Sequence, residues 1–240
     1  MVLNALFFCV FADEEVQFVC KGEGCYMLRR DYLVRMIEEM TEVLGKVFGL
    51  KQERKFTEAL WQLDDLYKSQ FRLSNDLLRS LSAKDIVEIF HTGGKLEADK
   101  LQNLAYLMKE EGNLLIAAGQ QDEGTFTLMK SLHLYLTAAQ GGGDRTLWKL
   151  TDHIDELIID LNKYRLPQET ELLRLQYEEA EGRYGRAEDI IYIMLQQQWI
   201  RKEEAIAFYE RLAQLDEATL SQGGLPIEEV REALQELRNN

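Results

Sequence analysis

The sequence predicts an all-α fold built from antiparallel helix pairs, and three observations carry that expectation. Apolar residues recur at helical spacing through nearly all of the chain after residue 27. Only two prolines, Pro167 and Pro226, interrupt it. Glycine clusters then divide the periodic stretches into lengths that suit helical hairpins. No stretch alternates convincingly with the two-residue period of a strand.

The first helix is expected over residues 28–50. Its stripe runs through Leu33, Met36, Ile37, Met40, Val43, Leu44, Val47 and Phe48, the i, i+3, i+4, i+7 spacing of a face that packs. Arg29, Arg30 and Arg35 suggest a membrane-surface helix, but Glu38, Glu39 and Glu42 follow directly and favour packing. A second helix, 55–69, repeats the pattern with Phe56, Ala59, Leu60, Leu63 and Leu66. Ser82, three residues before Asp85, reads as the cap of a helix that Gly93-Gly94 stops. Residues 96–118 and 122–140 form the next two helices, closed by Gly119 and by Gly141-Gly142-Gly143. Asp144 is expected to cap a helix whose inner face is Leu147, Leu150, Ile154, Leu157, Ile158 and Leu161. Pro167 suits the first turn of a helix reaching Glu181. Residues 186–198, 202–215 and 227–237 complete the chain.

Gly112-Asn113, Gly119, Glu123, Leu128 and Leu132 fall at the spacing of a tetratricopeptide repeat, one of three segments that resemble it. Residues 181–188 resemble its inter-helix turn, and residues 54–60 form a fainter copy in which Arg54 stands for the turn glycine. The logic is steric: a small residue early in the second helix (Ala59, Gly124, Ala187) lets two axes approach closely. These positions lie 65 residues (Ala59 to Gly124) and 63 residues (Gly124 to Ala187) apart, near twice the ~34-residue period. Degenerate pairs, such as 86–90 against 96–108, are expected in the intervening slots. The pattern departs from the repeat at Gly124 and Ser131, where alanine is usual. The alternative is an irregular helical bundle.

Met27-Leu-Arg-Arg-Asp-Tyr32, Met36-Ile-Glu-Glu-Met40, Val47-Phe-Gly-Leu50, Ala59-Leu-Trp-Gln-Leu-Asp-Asp65, Leu77-Leu78, Glu97-Ala-Asp-Lys-Leu101 and Gly223-Gly-Leu-Pro226 together give residues 27–240 a resemblance to an uncharacterised bacterial family. It implies architecture and brings no activity.

Residues 1–26 differ in composition from the remainder of the chain. The run from Val2 to Phe11 fits a short signal-peptide core with Val10-Phe11-Ala12 as its cleavage site, yet no Lys or Arg precedes it. It is too short to cross a membrane. The preferred reading is a translated leader. Lys21-Gly22-Glu23-Gly24 can be spelled by codons containing a ribosome-binding sequence, two residues before Met27. The family resemblance, which also begins at Met27, agrees. A single helical domain over 27–240 is the expectation.

A formal charge of −14 speaks against sequence-independent nucleic-acid binding and against anionic membrane surfaces. All three cysteines (Cys9, Cys20, Cys25) precede Met27, which fits a reducing cytoplasm. Thiol catalysis and a thiolate metal site are excluded after that point.

No constellation reads as an active site, so no catalytic residue, cofactor or metal is expected. Glu88-Ile-Phe-His91 matches the Glu-x-x-His of di-iron bundles, but no second copy exists. His153 has Asp152 and Asp155 beside it in sequence, neither placed to face it on a helix. Residues 141–145, Gly-Gly-Gly-Asp-Arg, lack the Gly-Lys-Ser/Thr of a phosphate loop. A hidden enzyme or metal protein would gather Glu88, His91, His133 and His153 in one cavity.

A binding surface remains. In tetratricopeptide proteins the first helix of each pair lines a concave groove. The resemblance carries that role to Tyr106, Lys109, Asn113 and Ile116 from one pair and to Leu172, Gln176 and Glu179 from another. The expected partner is a peptide or helix of another protein. Later helices filling this groove, or self-association through the stripe of the first helix, are the alternatives.

Overall fold

A computed structural model describes residues 23–239, with side chains from Tyr32 onward. The chain divides into two units, residues 1–39 and 40–240, and the packing among α2 to α12 lies within the second. Of residues 1–26, read from the sequence as a leader, 1–22 lie outside the described residues; α1 (Glu23–Gln52) begins four residues before Met27.

The described residues are predominantly helical. After α1 come α2 (Phe56–Phe71), α3 (Asn75–Ser80) and α4 (Ala83–Ile89). A two-stranded ladder follows, β1 (His91–Thr92) with β2 (Lys95–Leu96). Then come α5 (Ala98–Ala117), α6 (Gln121–Gln140), a 3-10 turn (Leu147–Lys149) and α7 (Leu150–Asp160). The chain closes with α8 (Gln168–Ala180), α9 (Tyr184–Gln196), α10 (Lys202–Leu212), α11 (Glu217–Gln222) and α12 (Ile227–Asn239).

The closest packing is between α5 and α6. A Cβ on Gly124 would lie 2.6 Å from Ile116 Cγ1 and 2.7 Å from the Gly112 carbonyl, and one on Gly112 would lie 2.7 Å from Leu128. Two backbones therefore meet where side chains are missing. Ser131 stitches the pair, its hydroxyl donating to the Ala105 carbonyl at 2.7 Å. The turn is closed by Gly119 at φ +87°, with Gln120 N–H bonded to the Leu115 carbonyl. The α8/α9 pair repeats the device, with Gly182 at φ +70° and Ala187 fully buried. Arg54 occupies the same left-handed region at φ 59° in the turn before α2, and Ala59 is fully buried.

Around this hairpin, α2 packs on α5, while α4, α7 and α8 pack on α6. A further core joins α9, α10 and α12 through Ile190, Met194, Phe208, Leu212, Val230 and their neighbours. There the α8–α9 turn meets the loop before α12: Gly185 N–H donates to the Gly223 carbonyl at 3.0 Å. A Cβ on Gly185 would come within 2.6 Å of the Gly224 carbonyl.

Three local expectations need correction. Gly93 and Gly94, at φ 58° and 77°, do not merely stop α4; they form the mirror-image turn that suits a two-residue hairpin, so a ladder exists where none was expected. Asp144 caps a turn rather than a helix, its Oδ1 accepting from Thr146 N–H at 2.9 Å and from its hydroxyl at 2.7 Å. The helix starts later, because Trp148 (φ 52°) and Lys149 (φ 50°) take left-handed conformations. Finally, residues 86–90 meet 96–108 through the Phe90 carbonyl, which accepts from Glu97 N–H at 2.9 Å, whereas the helix packing of α4 is on α6. A single helix, α7, stands between the α5/α6 and α8/α9 pairs.

A candidate binding cleft beside helix α6

Helix α6 presents Phe126, Met129 and Lys130 at i, i+3, i+4 spacing. Phe126 is 65% exposed, an unusual position for a ring on a central helix. One wall beside it comes from α3 and the start of α4, through Leu78, Arg79 and Ala83. The other comes from the α7–α8 loop (Arg165, Leu166, Pro167), Thr170 and Trp199. Two cavities result, of about 370 and 420 Å³, which share Phe126 and Lys130.

Lys130 ties one wall to the floor. Its ammonium donates to the carbonyls of Leu78 (2.8 Å), Arg79 (2.8 Å) and Leu81 (2.7 Å). All three donors are thus spent at the C-terminal end of α3, where a cation also meets the helix dipole. Burial pushes this amine below the usual lysine value.

The α3 end of the cleft is of mixed charge. Buried Glu111 accepts from the Tyr67 hydroxyl at 2.8 Å and from the Asn75 amide at 2.5 Å. Burial pushes its carboxyl up, and those hydrogen bonds and Arg79 hold it back only in part. Arg79 also pairs with Glu123 at 2.6 Å. The α8 end differs. Its walls are apolar except for Thr170 and two cations, Lys130 and Arg165. The Arg165 guanidinium lies 5.0 Å from the centre of the Trp199 ring and bonds to the Gln197 side chain.

The residues read as a groove from the sequence fall elsewhere. Tyr106 stacks on Trp148 with ring centres 4.5 Å apart and tilts against His153 at 5.1 Å. Lys109, with 3% of its side chain exposed, is covered by α7. Its ammonium donates to His153 Nδ1 at 2.7 Å and pairs with Glu156, so the His153 proton belongs on Nε2. Ile116 packs into the α5/α6 contact, and Asn113 is half-buried. On α8, Leu172 and Gln176 are exposed, and Glu179 pairs with Arg211 of α10 at 2.9 Å. Tyr106 and Lys109 therefore pack against α7 and the turn before it, and Ile116 against α6.

The histidines have separate partners. His91 lies 3.6 Å from Glu88 on the surface. His133, buried, bonds to Thr170 at 3.0 Å. His153 belongs to the Lys109 cluster, where Tyr135 stacks on it at 5.8 Å. Among the described residues no group of three or more His, Cys, Asp or Glu could hold a metal ion, and no helix is long and apolar enough to cross a membrane.

The cleft itself was missed from the sequence, though Phe126 carried a signal. It breaks the apolar stripe of Leu128, Leu132 and Tyr135 by lying outside it. Trp199 carried none, because only the folding of the α9–α10 turn brings it to α6.

These features define a class: a helical-hairpin protein with a partly apolar cleft on the outer face of its central pair. More particularly, residues 27–240 match the family described as "Family of unknown function (DUF6483)", and the chain belongs to that family. No curated protein matches it, and no solved structure does.

Proposed function

We propose that the chain is a protein-binding module that holds an extended peptide or a helix of another protein in the cleft beside α6. The observation that carries this reading is Phe126, a ring left 65% exposed on the floor of a walled cleft. Leaving that ring in water costs on the order of 1–2 kcal/mol of burial that a neighbouring side chain could have supplied, and walled apolar surface of this kind marks recognition sites. The two tight hairpins, with small residues at their contacts, support a tetratricopeptide-like arrangement as the scaffold. The absence of cysteine after Cys25 suits work in the cytoplasm.

A photo-crosslinking amino acid at Phe126 tests this, with the same group at exposed Tyr192 (61%) as reference. A discrete adduct from Phe126 alone is expected in the native cell. Equal labelling from both positions, or none from Phe126, would remove the cleft as the site.

A second reading is self-association through the stripe of α1, of which Phe48 is 43% exposed while Met40, Leu44 and Val47 are buried within the fold. Light scattering across a concentration series tests it; a constant monomer mass would end it.

A further inference from the structure

We propose that the α8 end of the cleft takes a peptide segment that places a carboxylate directly beside a large apolar side chain. This rests on the peptide-binding reading above and goes further by naming the chemistry of the ligand.

The chain carries 42 acidic and 28 basic residues, so a cleft of average composition would hold more carboxylates than cations. This end has the reverse: Lys130 and Arg165 line it, and no carboxylate does. Lys130 contributes charge without donors, since its three protons are committed to the carbonyls of Leu78, Arg79 and Leu81. Arg165 contributes donors. It is exposed, has no carboxylate partner among the described residues, and spends one terminal nitrogen on Gln197. A guanidinium offers five N–H groups in a rigid fork that matches a carboxylate edge. Stacking over Trp199 at 5.0 Å holds that fork at the rim, which lowers the entropy lost when a ligand is gripped.

The floor supplies the other half. Phe126, Met129, Leu166, Pro167 and Trp199 line an open hollow of about 420 Å³, near the small end of ligand pockets and suited to one or two apolar side chains. The methionine adapts to their shape. A basic ligand would meet two like charges here. A purely apolar one would leave the Arg165 fork without an ionic partner. An acidic-apolar segment satisfies both halves.

A phage-displayed library of random dodecapeptides, panned on the full chain and read by sequencing, tests the inference without presupposing a sequence. The expected result is enrichment of Asp or Glu next to Phe, Trp, Leu or Met. Arg165→Glu should weaken the selected peptides about tenfold or more, and Phe126→Ser should weaken them comparably. Both side chains are exposed, and circular dichroism verifies that each variant keeps its helices. Uncharged or basic peptides that depend on Phe126 but not on Arg165 would overturn the acidic preference and leave the peptide-binding reading standing. No enrichment, or enrichment indifferent to both substitutions, would overturn the two together.

Discussion

Lys109, His153 and Glu156 show how a residue's role turns on what folds over it. Burial, then the Lys109 charge, push the His153 imidazole below its ordinary value of 6.5. Burial does the same to His133. Near that pH the unfolded chain takes up protons that the folded chain refuses, so both histidines withdraw stability as the pH falls through it. Buried and half-buried glutamates act in the opposite sense. Burial lifts Glu110, Glu111, Glu171, Glu178 and Glu188 above the ordinary 4.5. The folded form keeps protons there that the unfolded form has released, and these groups withdraw stability as the pH rises from that value. His153→Gln removes one histidine while keeping an acceptor for Lys109. Its Tm should fall less than the parent's between about pH 7 and about pH 5, as read by thermal melts; parallel curves would show that His153 does not titrate in this way. None of this could be read from residue types. Lys109 looks like a groove lysine when only its helix is considered, and the chain segment that covers it lies more than forty positions further on.

Helices with a long apolar stripe were recoverable from spacing alone, because periodicity sums over many residues; α2, α5, α6, α8, α9 and α10 begin and end within a few positions of expectation. Short elements were not. The six-residue α3 and α11 give too few turns for a stripe, and the left-handed Trp148 and Lys149 carry no glycine to mark them. The small-residue rule itself concerns helix contact and is testable there. Gly124→Ala should destabilise the protein by about 2 kcal/mol, because the methyl meets backbone as well as Ile116. Gly45→Ala, where a methyl meets nothing within 4 Å, should instead stabilise by about 0.5–1 kcal/mol through helix propensity. Denaturant midpoints measure both; a neutral Gly124→Ala would contradict the close approach of α5 and α6.

For the molecule as a whole, two apolar centres divide the described fold. One surrounds the α5/α6 pair, which touches α2, α4, α7 and α8; the other joins α9, α10 and α12. Amide hydrogen exchange should therefore be slowest in α5 and α6, where buried positions are densest, and faster in α11 and α12. Uniform protection from α5 to α12 would argue for one cooperative centre instead. The cleft lies on the outer side of the first centre, walled by loops that depend on the position of α8. It draws on α3, α4, α5, α6, the α7–α8 loop and the α9–α10 turn, which is why reasoning one helix at a time placed the groove on α5 and α8 instead.

The hydrogen bond from Gly185 to Gly223 makes two loops share one boundary. A methyl at 185 presses on the Gly224 carbonyl, and one at 223 presses on the Gly182 carbonyl and the Tyr184 ring. Insertions tolerated in one loop should consequently come with compensating changes in the other, so a label or graft intended to spare the C-terminal core belongs at an open turn such as Gly93-Gly94.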